Sequence, residues 1–461
     1  MVSFKLKSVW QVLEILVMVY SLYLMWEKCI DILKNPLVVT LENNYYPIEK
    51  ISFPAVAICS MNVISKKRIE NYAAIISKKL NLPYQSVLSD VKLLTNLYDY
   101  SITNSNSFGR AQSLIEKYEY LYNNKSKNIY AIMKNLSIPC EELLVDCIWR
   151  RLTYNCSNLF QLRSTPIGFC CAFNYRTQSR YAKKLKFRYK MGLKHVGSNN
   201  GLIVTVTNNL SDYFYTTLPS VGITVQVFAP TDYPDSTSGN FLQKVIPIGS
   251  ESFLELLPSK INTVQNIRKY AYSLRNCIFD DEEKTVFGDY SYSNCLVECR
   301  IQSILTLCEC IPFIMPFKKN ATCFLSNIPC LNKYQDKWKN LFPSDFNGDE
   351  LDREKENSLM CANCYPDCTT TTYTVKMSSV QLSEQSIFLG NHNTDNVLKV
   401  FYGKGFGQLY KQDIVYYWFE TLSSLGGILG FFLGFSLISI VELLYLVVPK
   451  VFTILKQKFL Y

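Results

Sequence analysis

The sequence predicts an α+β membrane protein in which two transmembrane helices flank one large, disulfide-rich extracellular domain. Three observations carry this reading. Long apolar segments stand near both ends of the chain, all five N-x-S/T sequons lie between them, and so do sixteen of the 17 cysteines, all but Cys29 at the membrane edge. With 461 residues, 14% aromatic and 19% charged residues and 32 tyrosines, the chain is large enough for a substantial core, and disorder is excluded as a global description. His195 and His392 are the only imidazoles and neither sits in an HExxH arrangement, which excludes a histidine-rich metal site and makes a triad hydrolase a poor fit. The net charge of +10, from 48 Lys+Arg against 38 Asp+Glu, invites a nucleic-acid reading. Most of the chain falls outside the cell, so no nucleic-acid partner is expected.

The first apolar segment, Val9 to Trp26, runs 18 residues with only Gln11 and Glu14 as interruptions near its start, about the length a bilayer core demands. A cleaved signal peptide is the competing reading. The run is aromatic-rich and ends in Met25-Trp26-Glu27-Lys28 without a small-residue cleavage site, which favours an anchor. The second segment, Ile414 to Val448, holds 35 residues whose only formal charges are Glu420 and Glu442. A perpendicular helix needs about 20, so this one must tilt, break or project from the membrane. Lys5 and Lys7 precede the first segment, and Lys450, Lys456 and Lys458 follow the second. The positive-inside bias therefore puts both ends in the cytoplasm. The expected organisation is a short cytoplasmic amino terminus (1–8), a first span (9–26), an extracellular domain (27–413), a second span (414–448) and a cytoplasmic carboxyl terminus (449–461).

The sequons, at Asn124, Asn135, Asn155, Asn209 and Asn320, are weak signals singly, but their distribution agrees with this topology. An even count of cysteines in an oxidising compartment points to disulfides. Zinc is the competing reading, because Cys361 and Cys364 have knuckle spacing with Cys308 and Cys310 nearby; the extracellular setting argues against it, and no metal is expected.

Within the extracellular domain, Lys66 to Ile148 shows apolar returns at three and four residues and predicts helical hairpins. From Phe173 to Pro247 short β-branched runs bounded by Asn, Pro, Asp and Gly predict an antiparallel sheet. Cysteine-dense sequence returns from Cys277 to Cys368, and Thr369 to Val380 reads as a strand. Basic Arg176 to Lys190 and acidic Asp280 to Glu283 are read as solvated faces.

In the second apolar segment Gly426, Gly427, Gly430 and Gly434 crowd nine residues, at a helix-propensity cost of up to about 1 kcal/mol each relative to alanine. Close helix packing through small-xxx-small spacing is one explanation. It leaves the polar companions unexplained: at 100° per residue Glu420, Ser423, Gly427, Gly430 and Gly434 fall within about 80° of arc, a face able to line water. A continuous helix would turn Ser436 about 200° from Gly434, whereas an extended backbone at Gly434-Phe435-Ser436 would aim both the same way. Unwound backbone at membrane depth is tolerated where it is buried or lines an aqueous cavity, and carbonyls and hydroxyls can replace an ion's hydration shell. Glu442 reads equally as a carboxylate at the inner mouth or as a helix-end charge facing headgroups.

These residues resemble the degenerin and epithelial sodium channel family, and within it the insect pickpocket branch. Phe53-Pro54-Ala55-Val56 with Cys59 and Asn62 is similar to the family's motif after the first span, and Cys140, Cys147, Cys156 and Gly168-Phe-Cys-Cys-Ala-Phe-Asn174 to its finger region. Cys295, Cys299, Cys308, Cys310, Cys361, Cys364 and Cys368 resemble its thumb cysteines, and Ser423 to Glu442 its pore helix. The resemblance implies a trimeric, amiloride-sensitive sodium channel of the plasma membrane, homo- or heterotrimeric, set in lipid and needing no cofactor beyond permeant Na+. Its ectodomain is expected to be hand-shaped, with helical finger and thumb on a β-rich palm. Gly434, Phe435 and Ser436 then match the selectivity filter, Ser423 the position whose size biases the open state, Gly430 the blocker position, and Gly427 and Glu442 further pore-lining positions. The pairing it implies is Cys59–Cys170, Cys140–Cys171, Cys147–Cys156, Cys277–Cys368, Cys295–Cys364, Cys299–Cys361, Cys308–Cys330 and Cys310–Cys323, with Cys29 free and the adjacent Cys170 and Cys171 able to exchange partners.

One departure stands out. Family members carry a longer cytoplasmic amino terminus with a His-Gly gating motif, and neither histidine lies there, which implies an incomplete coding sequence or a subunit that gates poorly alone. The alternative of another class is a two-span, scavenger-receptor-like lipid-binding protein, which predicts a featureless second anchor and fewer cysteines. No nucleophile elbow, P-loop or metal triad supports an enzyme. The gating stimulus is not encoded in any of these motifs.

Overall fold

The computed structural model describes residues 2–34, 36–102, 105–123, 128–176, 191–315, 322–342, 352–382, 395–434, 436, 438–439, 441–442 and 445–449. Phe435, Asn124 and Asn320 lie outside the described residues, as do 177–190 of the basic run and 450–461. The chain divides into two compact units. One comprises Met1–Thr40, Thr263–Asn276 and Lys411–Tyr461, the other Leu41–Asn262 and Cys277–Tyr410.

Among the described residues seventeen strands are formed. The first nine are β1 (Leu37–Pro47), β2 (Ala55–Ser60), β3 (Asn62–Ser65), β4 (Leu144–Trp149), β5 (Leu152–Tyr154), β6 (Phe160–Thr165), β7 (Gly168–Phe173), β8 (Leu202–Val206) and β9 (Tyr213–Thr216). The others are β10 (Ile223–Phe228), β11 (Leu242–Ile246), β12 (Ser250–Thr263), β13 (Lys284–Thr285), β14 (Gly288–Asp289), β15 (Thr370–Gln381), β16 (Asn396–Tyr402) and β17 (Phe406–Ile414). One sheet runs β1-β17-β12-β16-β8-β4-β5 with β15 also paired to β12, and a second, within the larger unit, runs β11-β10-β2-β7-β6. The antiparallel texture expected for 173–247 is met by β10 against β2 and β11, while β12 and β16 pair in parallel, which the sequence pattern did not show.

Burial explains the apolar strand β2: its Val56 and Ile58 are fully buried and face an aromatic cluster in which Phe53 meets Trp149 at 4.9 Å, Tyr402 at 5.6 Å and Phe173 at 6.0 Å. Two buried tyrosines converge on one acceptor, Tyr373 and Tyr402 each donating to the Ser52 carbonyl at 2.7 and 3.0 Å. Such satisfaction is what keeps phenols tolerable inside a core.

The helical expectation for 66–148 holds for most of its length. Ser65 caps the helix Lys66–Leu80 by accepting the Arg68 N–H at 3.2 Å, and Asn81 ends it in left-handed backbone with φ 56. Its Ile69, Ala73 and Ile76, spaced at helical intervals, are fully buried in a second core with Val91, Phe108, Ala111 and Ile115 from the helices Tyr84–Lys92 and Ser105–Asn123. The segment 144–149 departs from expectation by forming β4.

Cysteine spacing and helix geometry meet in the helix Tyr292–Cys308, capped by Ser291. Cys295 and Cys299 stand one turn apart on one face, joined to Cys364 and Cys361 respectively. The remaining bonds are Cys59–Cys170, Cys140–Cys171, Cys147–Cys156, Cys277–Cys368, Cys308–Cys330 and Cys310–Cys323. These are the eight pairs that the family's cysteine order implies, and Cys29 is free. Among the described residues no cluster of side chains could hold a metal ion.

Near the Cys277–Cys368 bond, two carboxyls share a poorly solvated setting. Burial pushes Asp232 up to about 6 against hydrogen bonds from Ser291 and Thr231. Burial, then the charge of Asp232 and, more weakly, of Asp280, pushes Asp367 up to about 8, although the Tyr292 N–H favours its ionised form. Both values exceed that of an unfolded aspartate, about 3.9, so the folded chain holds these protons more tightly. The stabilising contribution is complete below about pH 4 and is lost as pH rises through about 6 to 8. Asp367→Asn should therefore raise the melting temperature at pH 8 and flatten its fall between pH 6 and 8. An unchanged pH slope in the variant would show that Asp367 is not the group responsible.

Candidate functional site

Both long apolar segments belong to the smaller unit. The first is helical over Val2–Lys34, which extends the expected 9–26 at both ends; Glu27 to Lys34 continues the helical pattern, and Pro36 follows within two residues. Thirty-three residues make a rod of about 50 Å. In the second segment, where the expected helix had to tilt, break or project, the helix begins later than residue 414 and breaks. Ile414 still belongs to β17, the helix occupies Trp418–Leu433, and Gly434 ends it with φ 61 and ψ 23. Among the described residues, which leave out the side chains at 2–11, 13 and 14 and parts of 435–450, no helix is both long and apolar enough to cross a membrane.

The start of the Trp418–Leu433 helix is fixed by a polar network. Glu420 accepts the Tyr417 N–H at 3.0 Å, and Tyr417 donates its hydroxyl to Asp413 at 2.8 Å. Asp413 also accepts the Ile414 N–H at 2.8 Å and pairs with Lys411 at 2.7 Å. Burial alone would raise the Asp413 carboxyl, but these partners outweigh it and hold it below the usual carboxylate range. Glu420, which the helical arc placed with the small residues, is thus a helix cap. Nearby, Lys28 donates to the Tyr416 hydroxyl at 2.5 Å with its ammonium 4.2 Å from that ring's centre. No sequence pattern signalled either arrangement, because Tyr417 is not a usual capping residue and Lys28 lies 388 positions from its partner.

The helix has two distinct faces. Ser424, Leu425, Ile428, Leu429 and Phe432 are half-buried, and Phe432 meets Tyr20 of the first helix edge-to-face at 5.7 Å. Ser423, Gly427, Gly430 and Gly434 are exposed along another stripe. A Cβ added at Gly426, Gly427 or Gly434 would meet nothing within 4 Å. Contacts within this chain therefore do not require these glycines.

At Gly434 the left-handed turn closes the helix: its N–H donates to the Gly430 carbonyl at 3.1 Å. The break expected at Gly434-Phe435-Ser436 is present, made by a left-handed glycine rather than an extended one. Helix resumes at Ile438 and Ser439, with Ser436 accepting the Ser439 N–H at 3.3 Å and its hydroxyl 3.2 Å from that of Ser439. Ser436 is thereby an N-cap. Glu442 is exposed and helical. Of the sequons described, Asn135, Asn155 and Asn209 are exposed.

Residues 2–446 match the family described as amiloride-sensitive sodium channel. The chain belongs to that family. It is 23% identical over 457 residues to sodium channel protein Nach of Drosophila melanogaster, covering 95% of this chain and 81% of that protein. It is 22% identical over 484 residues to pickpocket protein 28 of the same species, covering 95% and 73%. A cryo-EM structure of a proton-activated chloride channel covers 95% of this chain and 96% of its own at 8% identity and a TM-score of 0.30, too distant to carry an argument. As a member of the amiloride-sensitive sodium channel family the chain is a channel homologue and not an enzyme, and family members are plasma-membrane channels. The scavenger-receptor-like alternative finds no support in a match that spans both apolar segments.

Proposed function

We propose that this chain is a pore-forming subunit of a trimeric, sodium-selective, amiloride-sensitive plasma-membrane channel. The observation that carries the reading is the stripe of Ser423, Gly427, Gly430 and Gly434, exposed within one chain and ending at a helix break. Small residues left uncovered by their own chain suit a face that meets sister helices or water. In this reading the apolar segments 9–26 and 414–448 span the membrane, 27–413 lies outside, and both termini are cytoplasmic. The filter is Gly434, Phe435 and Ser436, amiloride sits at Gly430, Glu442 draws cations to the inner mouth, and Asn124, Asn135, Asn155, Asn209 and Asn320 carry glycans.

Expression in oocytes, alone and with related subunits, tests the reading through amiloride-sensitive current. Reversal potentials then test the filter. Ser436→Ala and Ser436→Asn should both change the sodium-to-potassium permeability ratio, and Ser424→Ala should change it less. The asparagine variant keeps a residue able to cap the following helix, so it separates ion choice from loss of the cap. Reversal potentials unchanged in both Ser436 variants would remove this triplet from the filter. Glu442→Gln should lower conductance.

A further inference from the structure

In the larger unit, β4 and β5 are joined by a tight turn: Trp149 pairs with Leu152, leaving Arg150 and Arg151 as its two central residues. Both hold left-handed backbone, with φ 54 and 66. Hairpin turns of this kind favour Asn-Gly, and two side-chain-bearing arginines in succession break a local rule. Rules of that kind are broken where function asks for it.

What the turn achieves is placement. An open cleft of about 500 Å³ is lined by Arg150, Arg151, Leu193, Lys194, His195 and Glu49. Its floor is fixed. Leu193 is buried in the main core at 2% exposure, the Phe53 N–H donates to the Met191 carbonyl at 2.7 Å, and Arg150 donates to the Gly192 carbonyl while lying 5.5 Å over the Trp149 ring. The loop beyond is tied by the Gly197 N–H to the Tyr402 carbonyl at 3.0 Å. Arg151 and Lys194 make no hydrogen bond or ion pair among the described residues, and neither does Glu49. Three permanent cations thus face one carboxylate on a preformed scaffold, and two of those cations go unused within the chain.

We infer that this cleft binds a small organic polyanion, a hydroxylated carboxylate or phosphate ester carrying at least two oxyanion groups. Arg151 offers a planar fork suited to a carboxylate or phosphate, and Lys194 a compact second charge. Arg150, already holding the Gly192 carbonyl, keeps further N–H groups for the ligand. Glu49 rejects a ligand that is anionic all round and accepts a hydroxyl donor. The volume lies in the range of small-molecule sites.

The test uses the purified full-length channel, whose thermal unfolding is followed while citrate or inorganic phosphate is titrated at constant ionic strength with sodium chloride. Wild-type should show a saturable rise in melting temperature. Arg151→Gly should melt no lower than wild-type without anion, because glycine takes the left-handed turn freely, yet bind citrate at least tenfold more weakly. Lys194→Gln should weaken binding similarly, and Lys376→Gln, exposed on β15 away from the cleft, should bind as wild-type. A melting temperature indifferent to both anions, or Arg151→Gly and Lys194→Gln responding as wild-type does, would overturn the assignment.

Discussion

Arg300→Met should destabilise the channel by about 3–5 kcal/mol, because it strips the partner from a buried charge. Arg300 and Asp235 pair at 3.0 Å with side-chain exposures of 10% and 4%. The same guanidinium donates to the Trp338 carbonyl at 2.8 Å and to the Thr237 hydroxyl at 3.2 Å. It therefore joins the helix Tyr292–Cys308 to the helix Ile328–Lys339 as well as neutralising Asp235. With methionine in its place Asp235 keeps a bond from Thr237 at 2.6 Å, but no cation. Pairing the change with Asp235→Asn should recover much of the loss, since a neutral amide has no charge to strand. Arg300→Lys should fall between, because an ammonium cannot reproduce three divergent bonds in one plane. Thermal unfolding of the purified protein and surface delivery in cells both read this. A loss below about 1 kcal/mol in Arg300→Met would mean that the pair is not what holds these helices together.

Some of this architecture was legible from the chain because the signals are local. Ile69, Ala73 and Ile76 repeat at helical spacing, so the burial of one face followed directly. Gly434 with Ser436 suggested a break, since only an interrupted helix could aim both alike, and the helix does end at Gly434, through left-handed rather than extended backbone. Other features depend on partners distant in sequence. The strands β4 to β7 lie in short, cysteine-rich stretches, and β12 pairs in parallel with β16 across more than a hundred residues, so no periodicity marks the match. Glu420 shows how a correct rule can misplace a group. Its angle put it with the glycine stripe, but its position three residues past Tyr417 put its carboxylate on the first free N–H of the helix. The Arg150-Arg151 turn was illegible for the opposite reason: glycine or asparagine would have announced it, and neither is there.

Ser423→Phe should produce a standing amiloride-sensitive sodium current without stimulus, on the proposed reading of this helix as the pore. Within one chain Ser423 is exposed, so the larger side chain has room and folding should be little changed. The cost arises only where three copies close together. Overpacking of a tight contact costs about 1–3 kcal/mol per site, and a trimer carries it three times. A channel closed 99 times in 100 is held shut by only about 2.7 kcal/mol, so even about 1 kcal/mol per subunit, borne mainly by the closed state, moves the ratio past its midpoint. Ser423→Val should act in the same direction with smaller size. Ser424→Phe is the matched control: Ser424 belongs to the half-buried set that includes Phe432, so bulk there should disturb packing and reduce surface delivery without opening the pore. Resting current under voltage clamp, normalised to surface protein, separates the two outcomes. A Ser423→Phe channel that reaches the surface, carries stimulated current and shows no rise at rest would place the closed constriction on some other part of the chain.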